Sequence, residues 1–148
     1  MIKKQLKMYQ TDKILEHIST LIDTYESMIT SNDIESFIKL QDEIAIYSYR
    51  LAEIASENKR GYNTSYYIRK ITHQRQIQSA LNSGKATAMN KASHEADLGV
   101  QDLVMKELDY EALSYRTDLL LKQVNKILDS LRQKISYLKK EYELSAHN

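Results

Sequence analysis

Leu81-Asn82-Ser83-Gly84-Lys85-Ala86 decides the fold of this chain. Proline is absent and the only glycines are Gly61, Gly84 and Gly99, so helices can run long and few places can stop them. Ser83-Gly84-Lys85 is the one strong turn signal in the second half. Before it, Phe37, Leu40, Ile44, Tyr47, Leu51 and Ile54 recur in steps of three and four. The pattern then turns polar without a breaker, which predicts one helix over 34–82, on the order of 70 Å long. Asp33, followed by Ser36 and Phe37, is placed to cap its start. After the turn, a stripe runs from Met89, Ala92, Ala96, Val100 and Leu103 through Leu113 to Tyr142, predicting a helix over 86–144 of roughly 85 Å. A shorter helix over 12–30 is expected from Asp12 as cap and from Ile14, Ile18, Leu21/Ile22, Tyr25 and Met28/Ile29, with the first 11 residues frayed. The predicted fold is all-α and one domain over 1–148. It is a long antiparallel helical hairpin with a short N-terminal helix along its open end.

A lone hairpin buries little core per residue. Leu119-Leu120-Leu121 and the Ile127/Leu128 pair present more apolar surface than one partner helix covers. The expectation is a coiled-coil-like homo-oligomer, with Leu113, Leu120, Leu121, Val124, Ile127, Leu128, Leu131, Ile135 and Leu138 at its interface.

Several function classes are disfavoured. No cysteine means no disulfide and no thiolate metal site, which fits a cytoplasmic protein. The polar N-terminus has no signal-peptide core, and no apolar run reaches membrane-spanning length. His17, His73, His94 and His147 are scattered, none with the spacing of a zinc or di-iron site. Gly84-Lys85-Ala86-Thr87 lacks the earlier glycine and the strand of a phosphate-binding loop, so Gly84 reads as a turn glycine. Asp109 and Glu111 read as ordinary helix-surface acids. No catalytic arrangement, cofactor site or metal site is expected.

The charge pattern is informative. The 37 residues from Asn58 to His94 contain no acid, although average composition would place about five there. They carry Lys59, Arg60, Arg69, Lys70, Arg75, Lys85 and Lys91, so the rest of a chain of net charge +1 sums to −6. Tyr62, Tyr66 and Tyr67 lie among the cations, and Tyr62, Tyr66, Arg69/Lys70 and His73 share a helix face. Folding at Gly84 is expected to gather the positive charge at one end and leave the acids at the other. Cations neutralise phosphates and tyrosines stack on bases, so the segment reads as a binding surface for single-stranded nucleic acid. The alternative is a solvated face whose tyrosines pack on the returning helix. Gly61 inside the helix is either a tolerated glycine or the mark of a kink or close helix crossing.

Two segments carry a family resemblance. They are Asn58-Lys59-Arg60-Gly61-Tyr62 through Tyr66-Tyr67-Ile68-Arg69-Lys70, and Leu120-Leu121-Lys122-Gln123-Val124-Asn125-Lys126-Ile127-Leu128-Asp129-Ser130-Leu131-Arg132. Over roughly Arg50 to Tyr142 the chain resembles the recombination mediator family of T-even phages, the UvsY-like proteins. The resemblance implies a small, non-enzymatic homo-oligomer that binds single-stranded DNA and helps load a recombinase onto strands coated with single-strand-binding protein. It places DNA contacts at Lys59 and Arg60 with Tyr66-Tyr67 nearby. Here Gly61-Tyr62-Asn63-Thr64-Ser65 separates the two pairs, a departure from the family's spacing.

The expected nucleic-acid surface is therefore Lys59, Arg60, Tyr62, Tyr66, Tyr67, Arg69, Lys70, Arg75, Lys85 and Lys91. Ring-like or bundled subunits would present many basic tips to one strand. The rival reading is a structural coiled-coil protein, of a virion or scaffold, whose basic tip docks on an acidic protein. A third is an adaptor or inhibitor that occupies another protein's nucleic-acid channel.

Overall fold

The computed structural model describes residues 2–146, and the side chains of residues 11–146. Four helices follow one another: α1 Ile2–Met28, α2 Ile34–Asn82, α3 Met89–Gly99 and α4 Gln101–Ala146. The described chain is all-α and contains a long helical hairpin. It packs as two compact units. One joins the chain up to Ala55 with the chain from Thr117 onward, and the other is Ser56–Arg116.

The first unit is a three-helix core. Ile18 and Leu21 of α1, Phe37, Leu40, Ile44 and Leu51 of α2, and Val124, Leu128, Leu131, Ile135 and Leu138 of α4 form one buried cluster. Fully burying a side chain of this size is worth roughly 1.5–3 kcal/mol, so these residues carry most of the unit's stability. Lys134 lies over the Phe37 ring and Ser48 donates to Asn125 Oδ1 at 3.1 Å, so partner numbers fall as α2 numbers rise. The pairing of α2 with α4 is antiparallel.

This core corrects the assignment of an oligomer interface. Val124, Leu128, Leu131, Ile135 and Leu138 are buried inside a single chain, and Leu120, Leu121 and Ile127 pack half-buried against them. Most of the excess apolar surface that called for a second chain is taken up in this three-helix core, although Leu119 stays exposed. Leu113 lies in the other unit and is exposed. The helix α1 also begins at Ile2, ahead of the expected residue 12. Residues 2–11 are polar but contain no helix breaker.

Asp33 caps α2 as its position suggests. Its Oδ1 accepts from the Ser36 backbone N–H at 3.3 Å, its Oδ2 accepts from the Ser36 hydroxyl, and its carbonyl accepts from the Phe37 N–H at 3.2 Å. The two bonds from Ser36, the hydroxyl's first, hold the Asp33 carboxyl below its ordinary value.

In the Ser56–Arg116 unit the turn forms where Ser83-Gly84-Lys85 demands it. Gly84 has φ +70, a left-handed conformation that glycine adopts without steric cost. Its N–H bonds to the Leu81 carbonyl at 3.2 Å, and the Ala86 N–H reaches back to the Ala80 carbonyl at 3.1 Å. Ala80, Ala86 and Ala92 close the tip against Ile77 and Leu81.

The returning limb corrects the single helix expected over 86–144. It starts at Met89 and is interrupted at Val100, which has φ −110 and ψ 8. Gln76 lies against the glycine before the break. Its Nε2 donates to the Gly99 carbonyl at 3.4 Å, and a Cβ on Gly99 would stand 2.5 Å from its Oε1. The Val100 carbonyl then starts α4, accepting from Leu103 and Val104 at 2.9 and 3.0 Å. Because only one residue is lost, the apolar stripe continues from Ala96 through Val100 to Leu103.

α2 runs unbroken through Gly61, which marks a close helix approach. A Cβ there would sit 2.5 Å from Cδ1 and Cε1 of Tyr110.

Two outcomes test these local arguments. Asp33→Ala lowers the melting temperature at pH 7 by about 2–4 °C. A carboxyl with a depressed folded pKa contributes stability above its unfolded pKa and loses it as pH falls through the folded one. The difference between Asp33→Ala and wild type therefore narrows in thermal melts as pH falls below the ordinary range of an aspartate. Gly61→Ala lowers the melting temperature although alanine favours a helix by about 1 kcal/mol. In a Tyr110→Ala background the same change raises it. A rise in both backgrounds would show that the ring gives way freely.

Candidate nucleic-acid interface

The basic residues occupy α2 from Lys59 to Arg75, the turn at Lys85, and α3 at Lys91. Lys59, Arg60, Lys70, Arg75, Lys85 and Lys91 are all exposed. Among the described residues none of these six forms an ion pair.

Arg69 is different. Its Nε and Nη2 meet both carboxylate oxygens of Glu107 on α4, the second contact at 3.3 Å. The side chains are only 29% and 13% exposed, and the bond to Glu107 raises the already high pKa of Arg69. A two-point guanidinium–carboxylate contact of this kind is strong and directional. Nearer the tip, His73 Nε2 lies 2.8 Å from Asp97 Oδ1 of α3.

The tyrosines divide similarly. Tyr62 and Tyr66 are half-buried on the side of α2 that faces the returning limb, together with Arg69 and His73. The face expected to stack on bases is therefore the packed face. Arg69 and Lys70 lie 5.5 and 5.8 Å from the Tyr66 ring centre, and Tyr67 stands edge-on to Tyr66 at 5.6 Å. Tyr67 alone of the three is largely open, at 61% exposure. The accessible surface is thus the six unpaired cations with Tyr67.

The expected segregation of charge is also corrected. Folding at Gly84 brings Glu95, Asp97, Asp102, Glu107, Asp109 and Glu111 into the same unit as the acid-free window. With nine Lys/Arg against seven Asp/Glu, Ser56–Arg116 carries +2, not the +7 of the window alone. Glu107 and Asp97 were missed as site residues, although counting back from the turn already places residues 95–111 alongside the basic stretch. No helix among the described residues is long and apolar enough to cross a membrane.

No protein family matches the chain, and no curated protein or solved structure is significantly similar to it.

The Glu107 contact sets a measurable limit on the surface. Glu107→Gln should leave Arg69 without a counter-charge, raise the affinity for a labelled oligonucleotide severalfold at low salt, and steepen the salt slope by about 0.7. Unchanged anisotropy with intact helicity would show that Arg69 cannot reach a ligand.

Proposed function

We propose that this chain is a non-enzymatic accessory protein that binds single-stranded DNA and works, like the recombination mediators it resembles, as a homo-oligomer. The observation that supports this reading is the set of six exposed, unpaired cations from Lys59 to Lys91, with Tyr67 open beside them. The four lysines have flexible point charges suited to following a backbone, with Arg60 and Arg75 along the same helix. One tyrosine can contribute roughly 1–3 kcal/mol of stacking per base, without sequence preference. Several such surfaces in one assembly raise the affinity that each lacks alone. The action is to organise the strand and to hand it to a recombinase, in competition with a single-strand-binding protein.

One observation favours a second reading. Glu107 already pairs with Arg69 and Asp97 meets His73, so this face of the segment accepts carboxylates. A structural protein docking its basic tip on an acidic partner would use the same residues.

Anisotropy of a labelled single-stranded oligonucleotide across a salt series separates the two. DNA binding predicts a slope of about −3 if the four lysines meet phosphates and about −4 with both arginines. It also predicts a preference for single strands over duplex. Lys59, Lys70, Lys85 and Lys91 changed together to Ala should lose most of the affinity at unchanged helicity. No binding at low salt overturns the DNA reading and leaves the acidic-partner reading.

A further inference from the structure

The Ser56–Arg116 unit hides small side chains and exposes large ones. Its buried residues are Ser65, Ala80, Ala86, Ala92, Ala96 and Val100. Tyr67, Ile68 and Ile71 on α2, and Met105, Leu108 and Tyr115 on α4, are 46% to 68% exposed. The alanines lie at the end of α2, in the turn and on α3, and the outer surfaces of α2 and α4 are left without a cover.

These outer surfaces are patterned. On α4, Met105, Leu108, Ala112 and Tyr115 are spaced by three, four and three residues. They fall within an arc of about 80°, the spacing of a coiled-coil seam. Asp102 and Asp109 flank the seam on one side and Glu111 on the other; Arg116 is the one cation beside it. On α2, Arg60, Tyr67, Ile68, Ile71 and Arg75 fall within an arc of about 100° opposite the half-buried Tyr62, Arg69 and His73. No acid lies between Arg60 and Arg75. The α2 stretch from Arg60 to Arg75 runs about 22 Å and the α4 seam from Met105 to Tyr115 about 15 Å. One surface is apolar with arginines and the other is apolar with acids. Both are directed away from the contact that Arg69 and Glu107 make, so a chain cannot press one against its own other.

We propose that the α2 arc of one copy docks on the α4 seam of a second copy. The occupant is a second copy because one unit carries both halves of a complementary pair, alike in apolar character and opposite in charge sign. Two different faces meet, so the contact is heterologous. Each added copy leaves one face free at either end until a ring closes. Arg60 and Arg75 serve this contact, and Lys59 and Lys70, on the adjacent arc, remain outside it. The proposal does not rest on DNA binding, and its test contains no nucleic acid.

The test is sedimentation velocity of the full chain at tens of micromolar. Wild type should sediment as an assembly. Arg60→Glu with Arg75→Glu, and separately Asp102→Arg with Asp109→Arg, should each raise the dissociation constant at least about tenfold and yield monomers. An equimolar mixture of these two variants opposes unlike charges at both contacts, one native and one exchanged, so it should restore the assembly that each variant alone loses. Helicity and melting temperature check that each variant folds. Should either fail, Ile71→Ser and Leu108→Ser, at exposed positions, take their place. Monomeric wild type, variants that assemble like wild type, or a mixture that stays monomeric would each overturn the proposal.

Discussion

The antiparallel return of the chain at Gly84 constrains the rest of the structure, and it requires one backbone conformation that few residues tolerate. With φ at +70, Gly84 ends α2 and lets Ala86 reach back to Ala80. From that point the pairing is arithmetic. A residue on α2 meets the residue that lies about as far beyond the turn as it lies before it. This puts Tyr110 against Gly61, Glu107 against Arg69 and Asp97 against His73. The charge balance of the candidate site follows from the turn as much as from the basic window.

The two units solve the burial problem differently. In one, α1 supplies the third helix, and large side chains such as Phe37, Leu51 and Leu131 are almost completely enclosed. In the other, two helices meet through glycine, alanine and serine, with Gly61 giving Tyr110 room to lie flat against α2. Small residues allow close approach but remove little apolar area from water. The large residues of that unit consequently lie outside, where they are available for a partner.

The helices were legible in the sequence because their signals are local. Asp33 with Ser36, the three-and-four spacing of Phe37 to Leu51, and Ser83-Gly84-Lys85 each report on a few consecutive residues. The interruption at Val100 was not legible, since a one-residue break leaves the apolar stripe in phase. Gly99 was the only mark of it. The use of Val124 to Leu138 was also missed. Periodicity shows that a stripe will be covered, but not whether by α1 of the same chain or by a second copy. At the site, sequence identified the exposed lysines and misjudged Arg69, Tyr62 and Tyr66, because a run of residues without acids says nothing about acids that return from across the hairpin.

That last distinction bears on how basic segments are read. A linear window counts charge along the chain, whereas a ligand meets charge across a surface. The seven cations of this window divide into three groups. Arg69 is engaged by Glu107 and points inward. Arg60 and Arg75 stand on the arc of Tyr67, Ile68 and Ile71, where a planar guanidinium can cover apolar surface and pair with a carboxylate. Lys59 and Lys70 stand on the arc between, with Lys85 and Lys91 at the tip, exposed and unpaired. Lysine, a hydrated point charge on a flexible stem, suits a mobile phosphate backbone better than a packed interface. Residue type and helix position thus separate the two arginines, which stand beside apolar surface, from the four lysines, which do not.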